Sequence, residues 1–439
     1  MLQGIVDLLN ATGHPYCMLH GYGGYPERID SDVDCVVAAE LLPHQLPRLI
    51  DRDRASGGPA LVQWLQHEAT AHYFVLAAEA ADEAARFLAV DFSSDYRARG
   101  RSFYSGPDLL ARRQRWRDFW IPPPAVEFGY CLVKRIGKGT FGDDHARRLS
   151  ELYQLDPSGC RREIERFWPA GDRETLLAAA AGGDWTSIMR TLPTLRRHLL
   201  APTAAEGMRN RAAYWLHEIP RRARRWSRPT GLFVVLLGPD GAGKSTISAA
   251  VRARLAPVFR RVGAGHFGPD LLGRAAARGA IGTSAPHAQR PRAPLASLAK
   301  CFYWLLDFSV GYWARIRPAL VRSTLLVYDR YLLDALVDPH RYRFGGPQWL
   351  IRAVWRLVPK PDLVIVLDAS VAALHARKRE LTVSEIERQR SEYRALVASL
   401  PNGAIVNAEG SVEQVAANVE RVILAHLERR TADRLGLRE

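Results

Sequence analysis

Residues 232–246 read Leu-Phe-Val-Val-Leu-Leu-Gly-Pro-Asp-Gly-Ala-Gly-Lys-Ser-Thr. Six apolar residues in a row suit a strand buried on both faces of a parallel sheet. Gly238 to Ser245 then satisfy G-x-x-x-x-G-K-[ST], and a helix-periodic stretch runs on to residue 255. Glycines 238, 241 and 243 let the backbone curl so that successive N–H groups face inward. Those groups and the helix N-terminus make an anion cradle. Lys244 brings a positive charge to the β- and γ-phosphates of a nucleotide. The Ser245 hydroxyl can ligate Mg²⁺, with Thr246 beside it on the helix. The expected nucleotide contacts are therefore Gly238, Asp240, Gly241, Ala242, Gly243, Lys244, Ser245 and Thr246, with ATP and Mg²⁺ as cofactors. Such a loop specifies a nucleotide and leaves the reaction open.

Downstream, strand and helix signals alternate. Residues 324–328 and 363–367 are short apolar runs, 403–407 reads as a last strand, and 412–429 as a closing helix. This predicts an α/β P-loop domain with a parallel sheet over residues 230–439. Two strands end in carboxylates. Leu325-Leu-Val-Tyr-Asp329 is followed by Arg330 and Tyr331. A carboxylate at the C-terminal end of such a strand faces the ligand crevice. Asp329 can hold Mg²⁺ or orient an acceptor oxygen, and Arg330 can clamp a phosphate. Pro361-Asp-Leu-Val-Ile-Val-Leu-Asp368 is the second such strand; Asp368 either caps the next helix or joins the nucleotide site. Residues 376–390 add Arg377, Lys378, Arg379, Arg388 and Arg390 on a segment that can close over a transferring phosphoryl group.

These four motifs together resemble thymidylate kinase, over about residues 230–430. The resemblance implies ATP-dependent phosphorylation of a nucleoside monophosphate such as dTMP. It assigns Asp240, inside the loop, to the acceptor side, and Asp329 and Arg330 to the acceptor and its phosphate. It draws the closing arginines from Arg377, Arg379, Arg388 and Arg390, and it implies a homodimer. Lys244, Asp240, Asp329, Arg330, Arg377 and Arg379 form the expected catalytic set, with Ser245 and Asp329 on the metal. The sequence departs from the family where the acceptor should sit. Gly265-His-Phe-Gly-Pro-Asp270 stands in place of an Arg-Glu-Pro-Gly-like run, the family's Ser soon after Asp-Arg-Tyr is absent, with Asp334 nearby, and Asp338-Pro-His-Arg-Tyr-Arg343 is an added basic segment. The pattern is closer to thymidylate-kinase-like proteins of bacterial surface-polysaccharide pathways.

In the N-terminal part, strands are expected at 16–25, 31–37 and 87–92, with a mostly helical region at 107–200. His20-Gly-Tyr-Gly-Gly24 precedes Asp30-Ser-Asp-Val-Asp34. Asp32 and Asp34, two apart on a strand, project to one side, and Asp91 ends a neighbouring strand. Close carboxylates repel unless a divalent cation lies between them. Three of them after a glycine turn resemble the nucleotidyltransferase fold, which implies Asp32, Asp34 and Asp91 as Mg²⁺ ligands in an α+β domain over 1–106. The usual Gly-Ser is Gly21-Tyr22 here. A chain with both activities would suit a sugar or polysaccharide precursor as substrate.

The 439 residues carry a net charge of +15, much of it solvated arginine surface, which allows a nucleotide, nucleic acid or an anionic membrane as acidic partner; the motifs favour a nucleotide and a small-molecule acceptor, and no nucleic-acid partner is expected. Five dispersed cysteines exclude a disulfide framework and favour a reducing cytoplasm. No signal-peptide pattern opens the sequence. Residues 301–321 are broken by Asp307, Arg315 and Arg317 and read as a buried or half-buried helix rather than a membrane span. Residues 201–229 read as a basic linker. Its helix at 208–217, the arginines after it, Trp215 and Trp226 also allow peripheral membrane contact through 208–228, as in an ATP-binding scaffold of a membrane-associated assembly.

Overall fold

In the computed structural model of this protein, Leu232–Leu237 is a strand with every residue buried. It is the middle of a five-stranded, wholly parallel sheet. The order is Arg261–His266, Thr324–Asp329, Leu232–Leu237, Leu363–Asp368, Gly403–Asn407. The chain therefore reverses its direction of winding at the central strand. The crevice at that switch point is where α/β sheets take ligands, and the glycine loop sits in it. The structure describes residues 1–437 apart from 30, 79–83, 99, 100, 202–207, 272–291 and 380. Asp30, the first residue of the Asp30–Asp34 stretch, lies outside the described residues.

The central strands are short apolar runs because helices cover both faces. On one face Phe233, Val235 and Leu237 pack with Trp304, Phe308 and Tyr312. Those aromatics come from the helix Pro294–Gly311 and its continuation, a single π turn at Tyr312–Ile316. Of the two expectations, buried or half-buried, the helix is half-buried. Leu298, Phe302, Leu306, Val310 and Trp313 line its solvent face. Among the described residues no helix is long and apolar enough to cross a membrane.

The chain divides into two compact units. Among the described residues, one holds 1–78, 87–222 and 431–437; the other holds 84–86 and Ala223–Arg430. The first unit contains a five-stranded mixed sheet in the order Tyr16–His20, Val33–Val37, Arg86–Ser93, Ala71–Ala78, Ala60–Glu68. The first strand stops at His20 rather than residue 25, because Gly21 turns the chain at φ 88°. Asp32 falls just outside the second strand, which begins at Val33. Two strands absent from the sequence reading, Ala60–Glu68 and Ala71–Ala78, form an antiparallel pair. The helical region is built round Pro124–Lys138, against which Asp143–Leu155, Pro157–Phe167 and Thr186–Leu200 pack. Its apolar core includes Phe128, Leu132, Ile136, Leu149 and Ile164.

Residues 208–227 form one helix, Met208–Ser227, where the sequence suggests a helix ending near 217. Arginine is a good helix former. Arg221 and Arg222 pair with Glu218 one turn back, the second at 2.9 Å, and this carries the helix past Pro220.

Candidate active site

The glycine loop runs between the strand Leu232–Leu237 and the helix Lys244–Arg254. Gly238 has φ 140°, and a Cβ there would lie 2.5 Å from the carbonyl oxygen of Leu367. Neither the backbone nor the space admits a side chain at that position. Gly243, at φ 80°, caps the helix and leaves its first N–H groups facing the loop. Lys244 is buried and folds back over the loop, donating to the carbonyls of Gly238 (2.8 Å) and Pro239 (2.9 Å). Burial and the neighbouring Arg330 bring its pKa down to about 8, against the opposing pull of Asp334, Asp329 and Asp240.

Asp329 ends the strand beside the loop, in register with Leu236. The Ser245 hydroxyl donates to Asp329 Oδ2 at 2.5 Å. The other carboxylate oxygen, Oδ1, is buried and has no hydrogen-bond partner. A buried carboxylate oxygen without a donor requires a cation or an ordered water. Hard oxygen ligands from a hydroxyl and a carboxylate suit Mg²⁺.

Next to this pair lies a buried charge cluster. Arg330 adopts a left-handed backbone, φ 72°, which a non-glycine residue holds only when its surroundings over-determine it. Its Nη1 donates to Asp334 Oδ2 at 2.6 Å, and its Nη2 is bound to Asp240 Oδ1. Asp334 is fully buried and also accepts from the hydroxyls of Tyr342 (2.7 Å) and Tyr393. Asp240 Oδ2 faces Arg341 Nη1 at 2.7 Å and Lys378 Nζ at 3.5 Å. Burial works against ionisation of Asp240. Arg330, Arg341 and Lys244 outweigh it and hold the carboxyl well below the usual carboxylate range. Sequence reasoning named Asp334 and the 338–343 segment only as departures from a pattern.

In the N-terminal unit, Asp34 and Asp91 face each other in register on neighbouring strands. Asp34 is buried and bound by Lys134, a residue of the central helix Pro124–Lys138. Burial opposes its ionisation, and Lys134 reverses the balance and lowers its pKa. Asp91 lies 3.4 Å from His67, and its Oδ1 is buried without a hydrogen-bond partner. Burial, together with Asp34, pushes the Asp91 carboxyl up to about 7. Asp32 is exposed. His20, Glu127 and Cys131 also gather nearby, but both oxygens of Glu127 are taken by Arg148 and Tyr22.

No family model matches the chain. Curated proteins do resemble it. The thymidylate kinase of Bifidobacterium longum subsp. infantis is 30% identical over 223 residues, which cover 46% of this chain and 91% of that protein. The chain belongs to the thymidylate kinase family over that part of its length. The thymidylate kinase of Xanthomonas campestris pv. campestris is 27% identical over 215 residues, 47% of this chain and 87% of its own length. A probable thymidylate kinase of Pyrobaculum aerophilum is 26% identical over 200 residues, 44% and 95% of the two chains. A crystal structure of the thymidylate kinase from Ehrlichia chaffeensis spans 44% of this chain and 98% of its own, at 17% identity and a TM-score of 0.33.

The arginines assigned by thymidylate kinase resemblance lie in different surroundings. Arg377 ends the helix Val371–Arg377 and donates to the Ala408 carbonyl at 3.0 Å. It borders a cavity of about 320 Å³, together with Ala242, Thr246, Ile247, Val412 and Val415. Arg379 is exposed on the turn that follows. Arg388 pairs with Glu385 and Glu392 on its own helix, Val383–Ala398. Arg390 reaches Asp368 at 2.9 Å, where Arg394 joins it. Asp368 thus anchors a helix by ion pairs. Ser370 caps the helix after that strand, accepting from Ala373 N at 3.3 Å.

Proposed function

We propose that residues 230–439 form an ATP-dependent kinase that transfers the γ-phosphoryl group to a nucleoside monophosphate or a related acceptor. The carrying observation is the Ser245–Asp329 hydrogen bond beside the glycine loop, with the second Asp329 oxygen buried and unpartnered. Ser245 and Asp329 would hold Mg²⁺, which supplies charge neutralisation on the β- and γ-phosphate oxygens. The loop N–H groups and Lys244 contribute the remaining positive field, and catalysis is positioning plus electrostatics. The cavity beside Arg377 suits the adenine ring, with apolar walls from Ala242, Ile247 and Val415 and a planar guanidinium at its edge. Purified protein with Mg·ATP, dTMP, other nucleoside monophosphates and sugar phosphates should release ADP with one of these acceptors. Lys244→Ala should abolish that release; turnover that survives the substitution overturns the assignment.

The in-register Asp34 and Asp91, with the unpartnered Asp91 Oδ1, favour a second reading. The N-terminal unit would carry out Mg²⁺-dependent nucleotidyl transfer, with Asp32 completing the donor set and the two units serving one substrate in turn. Asp34→Ala and Asp91→Ala should remove pyrophosphate release from a nucleoside triphosphate and leave ADP release by the kinase intact. Equal pyrophosphate release in the variants and the parent would count against it.

A further inference from the structure

The helix Met208–Ser227 carries a pattern that neither proposed activity uses. Trp215, Ile219, Arg222 and Trp226 are spaced four, three and four residues apart, which puts them on one face, and Leu216 lies beside that line. Trp215, Leu216, Ile219 and Trp226 are all exposed, Leu216 at 72% and Ile219 at 61%. Glu218, Arg221 and Arg225 repeat the helical spacing on another face, the one that packs. Glu218 is buried there and accepts from Arg221 Nε at 2.9 Å, and Arg225 donates to the Val321 carbonyl at 2.8 Å. The helix thus holds its inner side by ion pairs and hydrogen bonds and points apolar side chains at solvent.

Cations flank this stripe. Residues 208–228 hold seven arginines and one acidic residue, Glu218. The Arg222 guanidinium lies over the Trp215 ring, 5.3 Å from its centroid, and Arg224 and Arg228 are exposed farther along. A single exposed apolar side chain is ordinary; four on one stripe, two of them tryptophan, mark an interaction surface. A nucleic acid would engage the arginines and the indole rings and leave Leu216 and Ile219 in water. A bilayer surface engages all of them. Leucine and isoleucine enter the boundary between headgroups and acyl chains, tryptophan sits at headgroup level, and guanidinium groups meet acidic lipid phosphates.

We propose that the helix Met208–Ser227 is a docking surface for an anionic lipid bilayer. It lies along the bilayer surface on the face formed by Trp215, Leu216, Ile219 and Trp226, with Arg222, Arg224 and Arg228 supplying the attraction to negative charge. A stripe of this size and polarity lies on a membrane and does not span it, and its hold is reversible because it needs both the apolar contact and the acidic lipid. The inference is independent of the kinase and nucleotidyl-transfer readings.

The test is co-sedimentation of the whole chain with vesicles of phosphatidylcholine, alone or with about one third phosphatidylglycerol. The protein should pellet with the anionic vesicles, stay in solution with phosphatidylcholine alone, and be released by about 0.5 M salt. Leu216→Ser combined with Ile219→Ser should lower the partition coefficient about tenfold or more. Arg224→Gln combined with Arg228→Gln should lower it by about as much. Leu155→Ser, which removes a side chain of similar exposure, 69%, on another helix, should change nothing. All five substituted side chains are exposed, so the variants should keep the parent's circular dichroism. Four results would overturn the inference: no pelleting with anionic vesicles, an unchanged partition coefficient in the Leu216/Ile219 variant, tighter binding of a single-stranded oligonucleotide than of the anionic vesicles, or a dimer in gel filtration that the Leu216/Ile219 variant dissociates, which would assign the stripe to a second copy of the chain.

Discussion

Asp334 is fully buried and ionised, and its two oxygens are shared by Arg330, Tyr342 and Tyr393. Burial opposes the charge, and Arg330 and Lys244 restore it, helped by the two hydroxyls. Removing the carboxylate leaves a buried guanidinium with half its partners. Asp334→Ala should cost about 3–5 kcal/mol in urea denaturation, whereas Tyr393→Phe, which removes one donor to a charged group, should cost about 1–3 kcal/mol. A loss under 1 kcal/mol for Asp334→Ala would mean that the cluster stabilises little. His72 carries a different kind of charge effect. It is buried on the strand Ala71–Ala78, stacked on Trp64 with centroids 5.6 Å apart, and burial, with His44 adding repulsion, lowers its pKa to about 4. The unfolded chain takes up this proton near pH 6.5. His72 therefore destabilises the fold as pH falls from 6.5 through 4, by up to about 3 kcal/mol, and is neutral above 6.5. His72→Phe should flatten the pH dependence of the urea midpoint in that window. A parallel curve for the variant would locate the acid sensitivity elsewhere.

The glycine loop joins a strand and a helix whose ends must meet at a fixed distance, and Gly238 is the point of closest approach. Gly238→Ala would place a methyl 2.5 Å from the Leu367 carbonyl and push the loop off the neighbouring strand. ATP affinity should fall at least about tenfold, by equilibrium binding, with the apolar strands still folded by circular dichroism. Unchanged affinity would show that the cradle tolerates a wider loop. These elements were legible because their signals are local. The strands Leu232–Leu237 and Gly403–Asn407 match the reading residue for residue, and Thr324–Asp329 and Leu363–Asp368 extend it by one. The strand Arg261–His266 was not, since it lies at a sheet edge with two glycines and alternating exposure. Nor were Ala60–Glu68 and Ala71–Ala78, where Gln63, Gln66, His67 and His72 interrupt the apolar run. The site divided in the same way. Lys244, Ser245 and Asp329 follow from motif chemistry. The contacts of Arg341 and Lys378 with Asp240 span 101 and 138 residues, that of Tyr393 with Asp334 spans 59, and none has a local signature.

Each of the two units has its own apolar core, so ligand linkage should act on them separately. A nonhydrolysable ATP analogue at a hundred times its dissociation constant adds about 2.7 kcal/mol to the unit that binds it. Calorimetry should therefore show one transition moving up and another staying in place; a single transition that moves as a whole would show tight coupling. The Asp334 cluster also has an evolutionary consequence. Its members lie at positions 330, 334, 342 and 393, and any one of them lost alone leaves a buried charge or hydroxyl without its partner. Substitution at these four positions should be tolerated only as a set. Across homologous sequences they should therefore vary together, with the quartet either present whole or replaced whole by apolar residues.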